Sequence, residues 1–334
     1  MAANNTVLVL GATGGIGGEM ARQLLNEGWA VRALRRGKRQ TAELNKGITW
    51  IEGDASNHDD VMAAALGCSV IVHAVNPPGY RHWSTLVLPM LDNTIAAAKA
   101  QAATIVLPGT VYNFGSNAFP TLRENSPQDP DTRKGKIRVE MERRLQSAST
   151  QGSRVIIVRA GDFFGPASGS SWFAQGLVTP GKAATKVYLP GSQGIGHQWA
   201  YVPDVARTMV NLIALREKLT PFAVFHMEGH WDHDGLQIAG AIQRVVLAHG
   251  GKLPKLQPFP WWLIKLTSPF KETFREMLEM QYLWKVPVRM NNTYLQATLG
   301  QEPHTPLNQA IEATLKGLGC LPSNSQRLVE DHTH

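Results

Sequence analysis

A short apolar strand that runs directly into a glycine-rich turn constrains this chain more than any other feature. Residues 6–11 read TVLVLG, which is typical of a buried strand, and apolar residues at helical spacing follow as far as about Glu27. The connecting GATGGIGG places Gly11, Gly14 and Gly17 at intervals of three. In a strand–turn–helix unit such glycines permit a tight turn, a close approach of the backbone to a diphosphate, and packing of the helix on the strand. The segment therefore predicts a dinucleotide site at a helix N-terminus, against the alternative of a simple glycine-rich turn.

The same alternation of strand and helix continues through the first half of the sequence. We predict further strands at residues 29–34, 48–54, 69–75, 103–109 and 154–161, and helices at Asn57–Leu66 (capped by Ser56 or Asn57), Thr85–Ala102 and Thr132–Ser149. Strand after helix after strand indicates a parallel sheet with helices on both faces. The predicted fold class is therefore α/β, with a Rossmann-type, doubly wound parallel sheet.

The rhythm changes in the second half, where loops rich in glycine, proline and serine begin. A short strand near Lys186–Leu189, a helix that starts near Pro203 and a strand at residues 222–229 precede a mostly helical remainder. We expect residues 1–165 to form the dinucleotide-binding domain and residues 166–334 to form mainly a smaller, mostly helical substrate-binding lobe. Some of the later segments should return to the first domain.

Two arginines at the end of the second predicted strand bear on the choice of dinucleotide. NAD-specific domains usually place Asp or Glu there to bind the ribose 2′-hydroxyl, whereas this chain has Arg35 and Arg36. A guanidinium matches a 2′-phosphate through charge-assisted hydrogen bonds, so we expect NADP, with NAD as the alternative if the pair is only a solvated turn. Asp54, after the third strand, is a candidate partner of the adenine amino group or a turn-forming residue.

Composition limits the classes of partner. The net charge is +7, and the densest basic runs, at residues 32–39 and 133–138, contain no aromatic residues, so a phosphate-bearing small ligand fits better than nucleic acid. Cys68 and Cys320 form no disulfide framework. No apolar run approaches the roughly 20 residues of a membrane span, and no leader pattern precedes the first strand. We expect a cytoplasmic protein with a small-molecule substrate, no nucleic-acid partner, no membrane partner, and a possible homodimer.

Six motifs occur in a familiar order: GATGGIG, the GD of Gly53–Asp54, HAVNPP, GTVYNFG, RAGDFFGP and AYVPDVA. From about Thr6 to Asp204 the chain resembles the extended short-chain dehydrogenase/reductase family, the NAD-dependent epimerase/dehydratase-like proteins. The resemblance implies a site at the carboxyl ends of the strands, with residues 74–76 along the cofactor ribose. The cofactor-binding residues that we expect are Gly11, Thr13, Gly14, Gly15, Ile16, Gly17, Arg35, Arg36, Asp54, Ala55, Ala74, Val75, Asn76 and Lys136.

The catalytic residues of the family are only partly present. Family members use a Ser or Thr, a Tyr as general acid or base, and the Lys of Y-x-x-x-K. The lysine position falls at Lys136, but the tyrosine position falls at Thr132 and the Ser/Thr position at Pro108. A threonine hydroxyl is too weak an acid to replace a phenol near neutral pH. The candidate catalytic residues are therefore Lys136, which could itself move a proton if it were buried, and Thr110 and Tyr112, which follow the fifth strand.

Five residues on segments that should border the crevice are candidate substrate contacts, although each could equally be a packing residue: Tyr80, His82, Asp162, His197 and Tyr201. Nucleotide-sugar enzymes of the family usually have a neutral Asn at the position of Asp162. An ionised Asp would repel a diphosphate, which argues against a nucleotide-sugar substrate.

Two other segments suggest alternatives. His226, His230 and His233 invite a metal site, but a strand at residues 222–229 would point these side chains apart, so we expect no metal. The segment that begins at Trp261 could contact a membrane or a partner, and we expect a packed lobe or an oligomer contact instead.

Three functions remain open from the sequence. The first is an atypical NAD(P)-dependent reductase or dehydrogenase that acts on a small, non-nucleotide carbonyl or alcohol. The second is a non-catalytic NAD(P) sensor or partner-binding protein, because Thr132 and Pro108 replace catalytic groups. The third is a nucleotide-sugar epimerase or dehydratase, which requires the absent tyrosine.

Overall fold

A computed structural model describes residues 5–37, 47–77, 83–270 and 272–322. Its strands are β1 (Thr6–Leu10), β2 (Ala30–Arg35), β3 (Ile48–Glu52), β4 (Val70–His73), β5 (Thr104–Thr110), β6 (Thr121–Leu122), β7 (Val155–Ala160), β8 (Asp162–Phe164), β9 (Lys186–Leu189), β10 (His197–Tyr201), β11 (Phe222–His226), β12 (His230–Asp232), β13 (Lys255–Pro258) and β14 (Arg289–Met290). Its α-helices are α1 (Gly15–Asn26), α2 (His58–Ala65), α3 (Trp83–Gln101), α4 (Arg133–Thr150), α5 (Val202–Ala214), α6 (Gln237–Ala248), α7 (Trp261–Thr267), α8 (Glu272–Glu279), α9 (Thr293–Leu299) and α10 (Leu307–Gly317).

Seven strands form one sheet in the order β11-β7-β5-β4-β1-β2-β3, and every neighbouring pair is parallel. β4, β5 and β7 are buried almost throughout, as expected for parallel strands covered by helices. The chain winds outward from β1 through β2 and β3, and then returns to place β4 on the other side of β1. The predicted Rossmann-type α/β class is confirmed, and the order reverses between β1 and β4, which is where such sheets open a ligand crevice.

The chain divides into two compact units. The first holds the residues up to Ala160, Pro203–Met227 and Met290–Pro303, and the second holds Gly161–Val202, Glu228–Arg289 and the residues from His304 onward. In the first unit, the core packs the sheet strands against helices through fully buried side chains such as Leu8, Ile71 and Leu91. Ser56 and Asn57 were the two residues proposed to cap α2. The cap is Asn57, whose side chain accepts the backbone N–H groups of Asp59 and Asp60.

The second unit contains more strand than its sequence pattern predicts. β8, β10 and β12 form a three-stranded sheet, and β9 pairs in parallel with β13. These strands have three to five residues each and were too short to show a clear alternation, and β10 is buried at every position. Around them an aromatic core includes Phe164, Phe173, Trp199 and Trp284.

Helix α7 in the second unit has one covered side and one open side. Ile264 is 7% exposed, whereas Trp262 is 69% exposed and Leu266 is 66% exposed. Within the described residues, no helix is both long and apolar enough to cross a membrane.

Candidate functional site

The loop after β1 is built by close contacts between backbones. Gly11 has a φ of +90°, and a Cβ atom at this position would lie 2.5 Å from the carbonyl oxygen of Ala74. A Cβ at Gly17 would collide with the carbonyl oxygen of Gly11. The N–H of Ala74 donates to the carbonyl of Leu10 over 3.0 Å, which fixes the loop after β4 beside the glycine-rich loop. The two loops on either side of the reversal point are therefore held together by residues without side-chain bulk.

The N-terminus of α1 is arranged to receive an anion. Gly14 is its N-cap and makes no side-chain capping bond, and the first turn contains no acidic residue. Gly14 donates its own N–H to Gly11 over 2.9 Å, and Thr13 and Gly14 are exposed while Gly15 and Ile16 are half-buried. Since uncapped N–H groups at a helix start attract phosphate, these residues fit the pyrophosphate of a dinucleotide.

The end of β2 carries both arginines, in different environments. The guanidinium of Arg35 lies over the ring of Trp50, 5.0 Å from its centroid. Arg36 has a side chain that is 64% exposed, and its Nε lies 3.9 Å from the Oδ2 of Asp54. Arg36 is therefore accessible to a phosphate, and its long, exposed ion pair with Asp54 contributes little stability.

The sequence left two roles for Asp54, an adenine contact or a turn-forming residue, and the structure shows that it forms a turn. Its Oδ1 accepts the N–H of Ser56 over 2.9 Å and the hydroxyl of Ser56 over 2.8 Å. The Oδ2 faces Arg36. Ala55, which follows, is buried, and its carbonyl accepts a hydrogen bond from Asn93 over 3.1 Å. One carboxylate oxygen of Asp54 is thus engaged in the turn, and the other remains the candidate contact for an adenine amino group.

The loop after β4 borders the same edge of the sheet. Ala74 and Val75 are half-buried and Asn76 is exposed, at the position expected for contacts with a cofactor ribose. Two candidate substrate contacts, Tyr80 and His82, lie outside the described residues.

The start of α4 carries a helix cap at the position where the family pattern has tyrosine. Thr132 is buried, and its Oγ1 accepts the N–H of Gly135 over 3.0 Å. Pro108 is a buried residue of β5. Lys136 is exposed, so the burial that would let it move a proton by itself is absent, and the buried lysine of this turn is Lys134. The condition for Lys136 to move a proton by itself is therefore not met, because this residue is on the solvent-facing side of the first turn of α4.

The turn after β5 brings the other two catalytic candidates to α4. Thr110 caps a short 3₁₀ turn at Val111–Asn113, and its Oγ1 accepts the N–H of Tyr112 over 3.3 Å. The carbonyl of Tyr112 lies so close to Gly135 that a Cβ there would collide with it. Tyr112 therefore sits against the first turn of α4, one turn or less from Thr132 and Lys136.

His73, at the end of β4, was not singled out by its sequence context. The hydroxyl of Thr94 donates to the carbonyl of Met90, so its oxygen is free to accept the Nδ1–H of His73 over 2.7 Å. Burial, and then the charge of Arg138, lower the pKa of His73 to about 3. His73 is therefore a neutral imidazole directly before the loop that borders the candidate nucleotide site.

The sequence analysis also did not identify a buried ionic network that joins β7, α4 and β11. Arg159, which is 1% exposed, donates to both carboxylate oxygens of Glu142 over 3.0 and 2.5 Å, and its Nη1 lies 3.0 Å from the Nε2 of His226. Burial, and then Arg159, lower the pKa of His226 to about 3. The RAG motif was the available sequence signal, because an arginine inside a buried strand needs a buried partner.

Three further candidate substrate contacts, Asp162, His197 and Tyr201, are buried in the second unit. The Nε2 of His197 lies 2.8 Å from the Oδ2 of Asp162, and its Nδ1 lies 3.3 Å from the carbonyl oxygen of Leu283. The His197 ring stacks on Trp284 with centroids 3.7 Å apart, and Tyr201 packs 5.3 Å from Phe164. Asp162 is thus partnered by an imidazole, and His197 is engaged at both nitrogens.

A cavity of about 20 Å³ lies beside this pair in the second unit. Its lining is mainly apolar or aromatic, and among the described residues it includes no lysine or arginine: Leu177, Tyr188, Leu189, Pro190, Gly191, Ile195, His197, Trp199, Asp232, Gly235, Ile238, Ala239 and Trp284. Asp232 accepts the N–H groups of Gln237 and Ile238 at the start of α6, and burial is the main cause that raises its pKa.

The three histidines that suggested a metal site have other neighbours. His226 belongs to the Arg159 network, His230 lies 4.4 Å from the ring of His304, and His233 is exposed. Across the described residues, no group of three or more His, Cys, Asp or Glu is placed to hold a metal ion.

Comparison with known proteins agrees with this geometry. A family model described as NAD(P)H-binding matches residues 11–160. UDP-glucuronic acid 4-epimerase from Bacillus cereus, solved with NAD, superposes with a TM-score of 0.72 at 16% identity, over 98% of this chain and 99% of that one. The enzyme WbmH from Bordetella bronchiseptica, solved with NAD⁺, gives a TM-score of 0.67 at 16% identity, over 94% of this chain and 98% of that one.

The similar curated sequences match over shorter spans. An uncharacterized protein, y4nL, of Sinorhizobium fredii is 28% identical over 181 residues, which is 48% of this chain and 51% of that protein. The photosystem II assembly factor Ycf39 of Cyanophora paradoxa is 40% identical over 68 residues, 20% of this chain and 21% of that protein. The matched region thus spans about half the length of the first relative. The chain therefore has the fold of these solved structures, and its residues 11–160 match the NAD(P)H-binding family model.

Proposed function

We propose that this chain is an NADP(H)-dependent oxidoreductase that acts on a small, non-nucleotide carbonyl or alcohol. The observation that carries the proposal is the uncapped N-terminus of α1, held beside the loop after β4 by Gly11 and Gly17. This arrangement leaves the N–H groups of the first turn without a side-chain cap from Gly14, and such groups attract a phosphate.

The preference for NADP rests on the end of β2. Arg36 is exposed and pairs only at 3.9 Å with Asp54, so it can turn toward a 2′-phosphate and make stronger, charge-assisted bonds there. Arg35 is partly engaged by Trp50 and would add positive potential more than a directed bond. In this proposal the main determinant is Arg36.

The residues at the start of α4 would position the reaction. NADP(H), when bound, supplies or accepts a hydride. We assign to Lys136 a hydrogen bond to the nicotinamide ribose, and to the phenol of Tyr112 the proton given to a carbonyl oxygen, or taken from an alcohol. Thr110 would hold the turn that carries Tyr112, through its bond to the N–H of that residue. A phenol supplies the acid that Thr132 cannot.

The proposal of a non-nucleotide substrate rests on Asp162. An ionised carboxylate opposes a diphosphate, and Asp162 is buried with its Oδ2 2.8 Å from the Nε2 of His197. The cavity beside this pair, of about 20 Å³, has room for about one water molecule and so gives no measure of the substrate.

The decisive experiment has two steps. Calorimetric titration with NADPH and with NADH tests the cofactor, and a panel of aldehydes, ketones and quinones with NADPH then tests turnover by the loss of absorbance of the reduced nicotinamide. We expect tighter binding of NADPH than of NADH, and turnover of at least one neutral carbonyl that Lys136→Ala reduces. Leu66→Ala, at an exposed position of the first unit, is a control that should change neither result.

One specific observation supports a second candidate, a non-catalytic NADP(H) sensor. Thr132 serves as a helix cap and Pro108 is buried in β5, so two positions used for proton transfer in the family have purely structural roles. Tight NADPH binding without turnover across the panel would favour the sensor. Hydride transfer that disappears in Lys136→Ala would exclude it.

A further inference from the structure

One surface of the second unit exposes an unusual amount of apolar side chain. We define the α7 face as Trp262, Leu263, Leu266 and Phe270, which are 69%, 42%, 66% and 87% exposed. Trp262 and Leu266 are one helical turn apart and so share a side of α7. Leu253 and Leu256, just before this helix along the chain, are a further 58% and 39% exposed. Exposed apolar side chains grouped on one element mark a contact surface more often than scattered single ones do.

The other side of α7 is firmly anchored. The Nε1–H of Trp261 donates to the carbonyl of Pro190 over 2.8 Å, and its ring packs 4.8 Å from Phe259 and 5.8 Å from Trp172. Ile264 is buried beneath the helix. The exposure of the α7 face is therefore fixed by a well-packed opposite side, since turning the helix inward would break the Trp261 contacts.

The segments before and within α7, and the strand paired with β13, carry lysines and no acidic residue. Residues 251–270 contain three lysines, Lys252, Lys255 and Lys265, and no Asp or Glu. In the β9–β13 pair, Lys255 is directly opposite Lys186, and both are exposed. Residues 179–192 add Lys182, which is exposed, and again no Asp or Glu. In the following helix α8, Arg275 is exposed, Glu276 is buried and Glu279 is half-buried.

The distribution of charge discriminates between two occupants. In a twofold dimer built on this face, each lysine-rich rim would lie against a copy of itself, and like charges oppose such an interface. An anionic bilayer surface complements both features, because lysines attract anionic headgroups while Trp, Leu and Phe enter the boundary between headgroups and acyl chains. We propose that the α7 face docks the protein on an anionic lipid surface, without crossing it.

The test is co-sedimentation of the full chain with vesicles, which does not depend on the cofactor or on turnover. One set of vesicles is phosphatidylcholine alone, and the other is phosphatidylcholine mixed with phosphatidylglycerol. We expect binding to the mixed vesicles that weakens as salt is added, and much weaker binding to phosphatidylcholine alone.

Two variants separate the apolar and the electrostatic parts. Trp262→Ser/Leu266→Ser/Phe270→Ser should lower the affinity for mixed vesicles by more than about tenfold, because three inserted side chains are lost. Lys255→Gln/Lys265→Gln should lower it by roughly tenfold at low salt and by little at high salt. All five side chains are exposed, so the melting temperature should hardly change. Leu247→Ser, which alters a side chain that is 49% exposed on α6, is the matched control and should bind as the unaltered chain does.

Three results would overturn the proposal. The first is no sedimentation with either kind of vesicle, and the second is equal binding to neutral and anionic vesicles. The third is a dimer in sedimentation velocity that the triple serine variant dissociates, with no vesicle binding, which would assign the α7 face to a second copy of the chain.

Discussion

Two places in the first unit, the glycine-rich loop after β1 and the first turn of α4, differ in what holds them together. In the loop, a Cβ added at Gly11 or Gly17 would collide with backbone atoms, so the close approach of the backbone requires glycine at both positions. At α4, the conformation depends on a side chain, the hydroxyl of Thr132, which caps the helix through Gly135. The loop has all three glycines of the pattern that the sequence resembles, whereas the first turn of α4 has Thr132 where that pattern has tyrosine.

This difference shows that binding a diphosphate and moving a proton are separate physical requirements. Binding a diphosphate needs free N–H groups and little bulk, which the loop retains. Moving a proton needs a side chain of suitable acidity, whereas the hydroxyl of Thr132 makes a capping bond, which typically stabilises a helix by about 1 kcal/mol. A chain can therefore keep its nucleotide site while its proton donor moves elsewhere or is lost.

The largest expected effect is on the loop itself. Gly11→Ala adds a Cβ at a left-handed φ of +90° and 2.5 Å from the Ala74 carbonyl oxygen. We expect a loss of about 2–5 kcal/mol in the free energy of unfolding and no measurable binding of NADPH. Chemical denaturation and calorimetry measure the two effects.

Gly28→Ala is the matched control for that variant. Gly28 also has a left-handed φ, of +79°, but a Cβ there would have no atom within 4 Å. It should lose only about 1 kcal/mol, from the backbone strain, and should bind NADPH normally. Equal losses in the two variants would show that strain alone, and not the contact with Ala74, controls the loop.

The next largest effect is on turnover, and it concerns Tyr112, which lies against the first turn of α4. Tyr112→Phe removes the phenol proton while keeping the ring, so we expect kcat for carbonyl reduction to fall by about 100-fold with little change in the affinity for NADPH. Tyr294→Phe is the control, since Tyr294 is stacked on Phe225 in the first unit and has no proposed role. Unchanged turnover in Tyr112→Phe would remove Tyr112 as the proton donor.

The loop was predictable from the sequence, and the proton donor was not, for a physical reason. Three glycines after a strand have few alternative uses, so their spacing identifies the turn and the helix that follows. A threonine at the start of a helix caps it in almost any fold, and whether Tyr112 reaches α4 depends on contacts between residues more than 20 positions apart. The same limit applies to Arg159 and Glu142, whose pairing no local pattern could reveal.

A smaller effect concerns the choice of cofactor. Arg36→Ala should weaken NADPH binding by about 10-fold to 30-fold and leave NADH binding nearly unchanged, because only NADPH carries the 2′-phosphate. Arg22→Ala, at an exposed arginine on α1 that pairs with Glu19, should change neither affinity. Equal weakening of both cofactors by Arg36→Ala would mean that Arg36 acts through Asp54 and the turn, not through a phosphate.

The smallest effect is on the pH dependence of the free energy of unfolding, and it concerns two buried histidines of the first unit. His73, before the loop that borders the nucleotide site, and His226, in the Arg159 network, each have a pKa lowered from 6.5 to about 3, mainly by burial. The unfolded chain therefore takes up a proton before the folded chain does, so stability is present above about pH 6.5 and is lost as the pH falls toward 3. Between pH 7 and pH 6 each histidine should account for a loss of about 0.7 kcal/mol in the free energy of unfolding.

His73→Gln and His226→Gln should each reduce that pH dependence by the same amount, measured by urea denaturation at the two pH values. His230, whose pKa is lowered to about 4 in the second unit, acts in the same direction, so the differences between variants and not the absolute slope carry the comparison. If only His73→Gln reduced the slope, the pKa of His226 would be the same in the folded and the unfolded chain. Its burial beside Arg159 would then not oppose protonation, and Glu142 would be the group that offsets the charge of Arg159.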